Sequence, residues 1–273
     1  MAPSLVLLLL IIAYPIWMTF ITSFAADGGF TLERYQSVIR EEAFPEILLQ
    51  SAIWTFGGTA LIFLIGLVLA LCLNENFWGF RTARLLLLLP WATPIAISAL
   101  VWRWIFNDQY GILNYILYRL KITDGKTAWL AFGNTGFLAN MVVEIWSGLP
   151  LMTLIILSGL QSIQEDIYEA ATVDGATWLQ SLWHITLPLL RPVFIVANLM
   201  FVIWTFNSFP VIWVLTRGGP IHSTDTLVTY IYKTAFQYGM FEEATALAMI
   251  TFVFLLVFSL LYARRVFNEG EER

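Results

Sequence analysis

Glu165-Asp166-Ile167-Tyr168-Glu169-Ala170-Ala171-Thr172-Val173-Asp174-Gly175-Ala176-Thr177 is a polar interval between two long apolar stretches, and its reading decides the fold. Residues 165–173 are good helix formers, and Gly175 can end that helix in a left-handed conformation. A second helical stretch is expected from Thr177 to about Thr186, with Pro188 and Pro192 interrupting it before the next apolar run. The product is a helix–turn–helix elbow lying along a membrane surface. Ala170 and Ala171 are expected to give it a small-residue face that another protein can approach closely, and Glu169 supplies a charge to pair. Periodicity alone fits equally an interfacial amphipathic helix that anchors the span ends.

The apolar stretches on either side set the class of the protein. A helix crosses the hydrocarbon core with about 20 mostly apolar residues. Six runs meet that requirement: 3–24, 46–73, 85–106, 135–160, 189–214 and 244–266. Hydrophobic residues make up 59% of the chain and charged residues 12%, and the mean hydropathy is +0.76. Soluble domains carry about a quarter charged residues, so this is a membrane composition. Alternating strand patterns suited to a barrel are absent, so the backbone must satisfy itself in helices. The expected fold is an all-α integral membrane protein of six transmembrane helices.

Several function classes fall away on the same numbers. The formal net charge of −5 is spread thinly, with no basic or acidic tail for nucleic acid. Cys72 is the single cysteine, which excludes a disulfide framework or a thiolate metal site within one chain. His184 and His222 are too few and too separated for a metal cluster.

Two points concern topology. Ser23-Phe24-Ala25 faintly resembles a cleavage site, but no Lys or Arg precedes the first apolar run and that run is long for a signal peptide, so a retained span is expected. Six spans place both termini on one side. With the termini inside, Arg81, Arg84, Arg191, Arg264, Arg265 and Arg273 lie inside, and the other eight of the 14 Lys and Arg lie outside. The raw count therefore shows no cytoplasmic excess. The Arg264-Arg265 doublet and the Arg81/Arg84 loop favour termini inside.

The elbow carries a longer pattern: Glu169-Ala170-Ala171, three residues, Gly175, nine residues, Ile185, one residue, Leu187-Pro188. These seven residues at these spacings resemble the EAA loop of permease subunits in binding-protein-dependent ABC importers. Further resemblance to the sugar-importing branch comes from Tyr14-Pro15-Ile16 with Ser23-Phe24, and from Pro94 with Val101-Trp102-Arg103-Trp104-Ile105-Phe106 and Gly111-Ile112-Leu113-Asn114. Leu215-Thr216-Arg217-Gly218-Gly219-Pro220 with Thr224 and the Tyr232 to Phe236 segment adds to it. The pattern is similar to the first of the two permeases of such systems, the larger maltose-transporter permease, without its extra N-terminal spans and external insertion.

That resemblance implies the ABC importer type I permease fold, with residues 1–45 as a first span and external loop. Residues 46–273 would then be a five-helix core that includes the coupling loop 161–188. It implies that Glu169, Ala170, Ala171, Asp174 and Gly175 form a coupling helix seated on a cytoplasmic ATPase, which fixes this loop and both termini in the cytoplasm of a bacterium or archaeon. The partners it implies are a second homologous permease, a dimer of the ATPase, an extracytoplasmic sugar-binding protein and the lipid membrane. The chain lacks the Gly-x4-Gly-Lys-Ser/Thr phosphate loop. Hence no catalytic residue, cofactor or metal is expected here, and ATP and magnesium belong to a partner chain.

Polar groups inside spans are costly and mark candidate sites. Glu144 lies one turn before Gly148-Leu149-Pro150, and Thr205, Asn207 and Ser208 precede Pro210. Trp91 follows Pro90. Aromatic rings beside a few hydrogen-bonding groups suit a sugar, whose ring stacks while amides and carboxylates take its hydroxyls. The resemblance places the family's sugar-contacting positions on Trp91, Ile95, Glu144, Ser147, Gly148, Leu151, Thr205 and Ser208. Ile95 and Leu151 replace polar contacts of the maltose transporter, which tells against maltose itself. Each candidate has a plain alternative. Ser and Thr often bond back to their own helix, Trp91 can be a packing aromatic, and Glu144 can be solvated near the outer interface.

The expectation is a permease for a disaccharide or oligosaccharide, trehalose- or maltose-like. A permease for glycerol-3-phosphate or another polyol derivative is the alternative, but no Lys or Arg lies mid-membrane to meet a dianion. An intramembrane enzyme lacks Gly-x-Ser-x-Gly, His-Glu-x-x-His and paired aspartates. A secondary transporter would be expected to show ion-coupling carboxylates beyond the single Glu144.

Overall fold

A computed structural model describes residues 2–26, 29–75 and 77–271. The chain begins with α1 (Ala2–Phe24), a two-residue antiparallel ribbon of β1 (Ala25–Ala26) and β2 (Gly29–Phe30), and a short α2 (Glu33–Arg40). Helix α3 (Phe44–Ala52) runs through a π-helical turn at Ile53–Gly57 into α4 (Gly58–Asn74). Next come α5 (Phe80–Ala92), α6 (Ile95–Ile105), α7 (Ile112–Arg119) and the long α8 (Gly133–Gln161). The elbow is α9 (Glu165–Val173) and α10 (Trp178–Ser181), and a second π-helical turn, Leu182–Thr186, leads into α11 (Leu187–Phe206). Finally α12 (Pro210–Leu215), α13 (Leu227–Phe236) and α14 (Phe241–Glu271) complete the chain.

Five helices among the described residues are long and apolar enough to cross a membrane: Leu7–Phe24, Phe44–Asn74, Gly133–Gln161, Trp178–Leu215 and Phe241–Arg264. The sixth crossing differs from expectation. Residues 85–106 do not form one straight span, because α5 and α6 meet at a 97° bend. Pro94 has no backbone N–H, and its ring pushes the preceding residue out of the helical region. Thr93 is accordingly extended, at φ −91 and ψ 131.

Pro188 and Pro192 depart from expectation in the opposite sense. The helix that starts at Trp178 passes through both and runs on to Phe206. Pro188 cannot donate to the carbonyl of His184, and the wider π turn covers this stretch.

Two compact units are described, residues 52–216 and residues 1–51 with 217–273. The second grouping departs from a 1–45/46–273 division along the chain because α1 packs on α14, a contact between the two ends of the sequence. In that unit α2 and α13 also pack on α14, and an Arg34–Glu242 ion pair joins α2 to it. The Tyr35 hydroxyl donates to buried Ser23 Oγ at 2.7 Å. The outward side chains of α1, from Leu7 to Met18, are apolar and exposed, as a lipid-facing helix requires.

The 52–216 unit is built on α4 against α8, and glycines set the approach. A Cβ at Gly66 would lie 2.9 Å from Met152 Cγ, and one at Gly159 would lie 2.8 Å from Leu190 Cδ2. Small residues that let backbones close up replace the missing hydrophobic drive between helices in lipid. Ile62, Met152, Ile156, Leu190 and Phe201 form one buried cluster, and Trp54, Val143, Val211 and Ile212 belong to another. At the first π turn, the Trp54 indole N–H donates to the Thr205 carbonyl at 2.8 Å. This carbonyl lies in the last turn of α11, where helical partners run out.

Gly66→Leu should lower unfolding stability in detergent by about 1–3 kcal/mol through overpacking against Met152. Gly57→Ala, whose Cβ would meet Ile53 Cγ2 at an ordinary 3.8 Å, should not. Denaturant unfolding followed by tryptophan fluorescence measures both.

Candidate functional site: an aromatic-lined cavity and an exposed elbow

The elbow is closed by its own backbone. Glu165 and Asp166 occupy the first turn of α9, where the helix dipole favours negative charge. At the other end Gly175 has φ +80, with its N–H donating to Thr172 O at 3.0 Å and the Ala176 N–H to Ala171 O at 2.9 Å. These are the paired bonds of a Schellman ending. A Cβ at Gly175 would meet nothing within 4 Å, so the requirement for glycine is purely conformational. Two residues on, the Thr177 N–H donates to Gln180 Oε1 at 2.8 Å while Thr177 Oγ1 accepts from the Gln180 N–H, a capping box that starts α10. The Tyr168 hydroxyl lies 3.0 Å from Thr186 Oγ1 and ties α9 to the second helix.

Of the expected coupling residues, Glu169, Ala170, Asp174 and Gly175 are exposed. Ala171 is not: it is buried at 8% exposure. Successive helical residues turn by about 100°, and Ala171 stands one turn after Tyr168, on the inward face. The small-residue face therefore rests on Ala170, with Val173 beside it at 87% exposure. Apolar Trp178 and Leu179 are exposed on the following turn.

A cavity of about 760 Å³ opens within the 52–216 unit. Trp91, Ile95, Glu144, Ser147, Gly148, Leu151, Thr205, Asn207 and Ser208 all line it. They arrive from distant parts of the chain. Trp91 and Ile95 flank the α5–α6 bend, Glu144 to Leu151 form two turns of α8, and Thr205 to Ser208 sit where α11 stops. At that stop the Asn207 N–H donates to Ile203 O and the Ser208 N–H to Thr205 O, and Pro210 begins α12.

Glu144 and Ser208 form the polar centre. Glu144 is 6% exposed and Ser208 7%, and the Ser208 hydroxyl donates to Glu144 Oε2 at 2.7 Å. Glu144 is thus a buried wall group rather than a solvated interfacial one. Ser208 bonds across to α8 instead of back to its own helix. Ser147 and Asn207 do bond back, Ser147 Oγ to Val143 O and Asn207 Nδ2 to Ile203 O, each at 2.8 Å. Asn207 is exposed, and an amide whose nitrogen bonds back still carries an oxygen that can accept. Thr205 is buried, and its methyl carbon would be 3.4 Å from a Cβ on Gly58. At Gly148 a Cβ would stand 2.9 Å from Ile62 Cδ1 and 3.2 Å from Phe201 Cε1, so this glycine serves packing as well as the wall.

Phe201 and Trp204 complete the aromatic lining, their rings stacked at 6.1 Å and 17°. The sequence reading passed over both. The spacing 201, 204, 205, 208 is one helical face, so extending the face back from Ser208 finds them. Among the lining residues Glu144 is the one acidic group, and there is no Lys, Arg or His.

Residues 62–270 match a protein family described as binding-protein-dependent transport system inner membrane component. The chain is 35% identical over 271 residues to a trehalose/maltose transport system permease protein of Thermococcus litoralis, covering 96% of this chain and 90% of that one. It is 34% identical over 274 residues to a sulfoquinovosyl glycerol transport system permease protein of Agrobacterium fabrum, covering 97% and 88%. Among solved structures, a bacterial ABC transporter that imports the acidic polysaccharide alginate superposes with a TM-score of 0.88 at 21% identity, over 97% of this chain and 93% of that one.

Ser208→Ala should remove a hydrogen bond to a buried carboxyl group and lower stability by about 1–3 kcal/mol, while Ser208→Thr retains most of it. Thermal unfolding of the detergent-solubilised protein is the measurement.

Proposed function

We propose that this chain, which belongs to the family of binding-protein-dependent transport system inner membrane components, forms one half of the pathway by which an ABC importer moves a neutral disaccharide or short oligosaccharide, trehalose- or maltose-like, into the cell. The observation that carries the reading is the cavity wall. One buried carboxyl group pinned by a hydroxyl, one amide and three aromatic rings, Trp91, Phe201 and Trp204, face a space of about 760 Å³. Rings of that kind stack on a sugar's apolar face while the carboxyl and amide take its hydroxyls. The space is of the size that holds small organic ligands.

The charge of the wall sorts the alternatives. A phosphorylated polyol such as glycerol-3-phosphate needs cationic donors or a bidentate guanidinium, and the lining supplies a carboxyl group instead. The similarity to the trehalose/maltose transport system permease protein of Thermococcus litoralis supports a sugar of this kind. A secondary transporter has no use for a capped, exposed elbow.

In this reading a second homologous permease completes the pathway, and an extracytoplasmic sugar-binding protein delivers the substrate. A dimer of ATPase subunits, which bind ATP and magnesium, receives the α9 elbow in the cytoplasm, where both termini also lie. The chain itself catalyses nothing. Closure of the ATPase pair on ATP would push on Glu169, Ala170 and Asp174 and, through the Tyr168–Thr186 contact, on the helix that carries Thr205 and Ser208. The helix that runs unbroken from Trp178 to Phe206 is the lever.

Two measurements test it. In proteoliposomes holding the full transporter, uptake of labelled trehalose or maltose should exceed that of glycerol-3-phosphate, and Glu144→Gln should cut sugar uptake several-fold; preferential uptake of the phosphate would overturn the assignment. Glu169→Ala should leave the complex in the membrane but lower sugar uptake per ATP hydrolysed, and an unchanged ratio would remove the elbow from coupling.

A further inference from the structure

The corner that joins α4 to α5 gathers cations and aromatic rings that neither the cavity nor the elbow uses. Helix α4 ends at Asn74 and α5 begins at Phe80. Between them Phe77 is exposed, Trp78 is 100% exposed, and Gly79 turns the chain at φ +89. Helix α5 then opens with Arg81 and Arg84, three residues apart, and with no acidic residue in its first turn. The Phe80 ring lies beside both guanidinium groups, whose carbons are 5.7 Å and 5.1 Å from its centre. Phe77 meets Phe80 edge-on, with ring centres 6.5 Å apart.

The two arginines differ in what they already hold. Arg84 Nη2 donates to Leu73 O at 2.8 Å, so its charge meets the carbonyl end of α4. Arg81 is exposed, and among the described residues no carboxylate pairs with it. A cation in the first turn of a helix faces the positive end of the dipole, an unfavourable place until an anion arrives. Leu85 and Leu89 follow Arg81 at four-residue intervals, 67% and 59% exposed. One open face of α5 therefore reads as a cation followed by an apolar track. Trp78 stands at the head of that face, just beyond the end of the membrane-length helix Phe44–Asn74. Tryptophan is enriched at that level, where headgroups meet hydrocarbon.

We propose that this corner binds an anionic phospholipid, its phosphate on Arg81, its glycerol region against Trp78 and an acyl chain along Leu85 and Leu89. The occupant follows from two complementarities in one place. The unpaired guanidinium asks for a phosphate, which it can take with two donors at once. The leucine track asks for a hydrocarbon chain on the same side of the same helix. Phe80 steadies the guanidinium groups from below, so the headgroup meets a cation that is already placed. A zwitterionic lipid fits the apolar track equally but brings its own ammonium group to Arg81, so headgroup charge decides the preference. The site needs only that the corner lies at the headgroup level, and it is independent of the cargo.

The test uses the assembled transporter in a neutral detergent, with lipid binding followed by native mass spectrometry. Phosphatidylglycerol is compared with phosphatidylcholine of the same acyl chains, and the unaltered complex should bind phosphatidylglycerol more tightly. Arg81→Gln should raise the dissociation constant for phosphatidylglycerol about fivefold, as loss of one basic residue at an anionic surface does, and leave that for phosphatidylcholine unchanged. Arg81→Lys should keep most of the preference, and Trp78→Ala should weaken both lipids alike. An unchanged phosphatidylglycerol constant in Arg81→Gln would overturn the site. Inorganic phosphate that displaces phosphatidylglycerol at equal concentration would assign Arg81 to a soluble anion. Loss of the second permease or the ATPase from the Arg81→Gln complex would assign the corner to a protein. Either of these results overturns the lipid. Sugar uptake plays no part in the readout, so the site and the proposed cargo stand or fall separately.

Discussion

A bilayer offers no water to the peptide backbone, and an unpaired N–H or C=O in hydrocarbon is costly. Every interruption of a spanning helix must therefore face protein or a polar cavity. The 52–216 unit has two such interruptions, the extended Thr93–Pro94 corner and the Asn207–Phe209 stop, and residues of both line the same cavity. Proline makes each break: Pro94 forbids helix at Thr93, and Pro210 restarts the chain as α12. The freed groups are then used. Thr205 O takes the Trp54 indole N–H and the Ser208 N–H, while the Ser208 side chain, released from helical register, crosses to Glu144. The unbroken α8 provides the opposite wall, so the site is a consequence of where helices are not allowed to continue.

The class of the protein and most of its crossings were legible in the sequence because twenty-residue apolar runs have few other uses. What was not legible was bending. Residues 85–106 read as one span on hydropathy, and only the backbone preference at Thr93-Pro94 turns them into two helices. Hydropathy sums side chains and carries no information about direction. Conversely Pro188 and Pro192 read as breaks, yet the helix continues through them, with a π turn just before the first and regular α-helix around the second. A proline in an apolar segment thus signals an adjustment, and its neighbours decide between a corner and a widened turn.

The candidate site shows the same division. Glu144, Asn207 and Ser208 stood out as polar groups in apolar surroundings, and the fold brings them to one space. Phe201 and Trp204 were invisible among 21 Phe and 12 Trp, because composition makes an aromatic unremarkable here and only its helical phase relative to Ser208 distinguishes it. At the elbow, Ala170 and Ala171 looked equivalent in one dimension. A rotation of about 100° per residue separates them, one outward and one against its own chain.

The double closure of the elbow has a consequence for divergence among relatives. The Schellman ending at Gly175 and the capping box at Thr177 satisfy the backbone of α9 and α10 from within, and the Tyr168–Thr186 contact joins them without using the outer face. Nothing in the permease's own stability then depends on what Glu169, Ala170, Val173 or Asp174 present outward. The outer face is a replaceable cassette on a hinge of glycine and threonine, free to change while the backbone behind it stays closed. Substitutions on that outer face and substitutions in the cavity wall can therefore accumulate independently in a single chain.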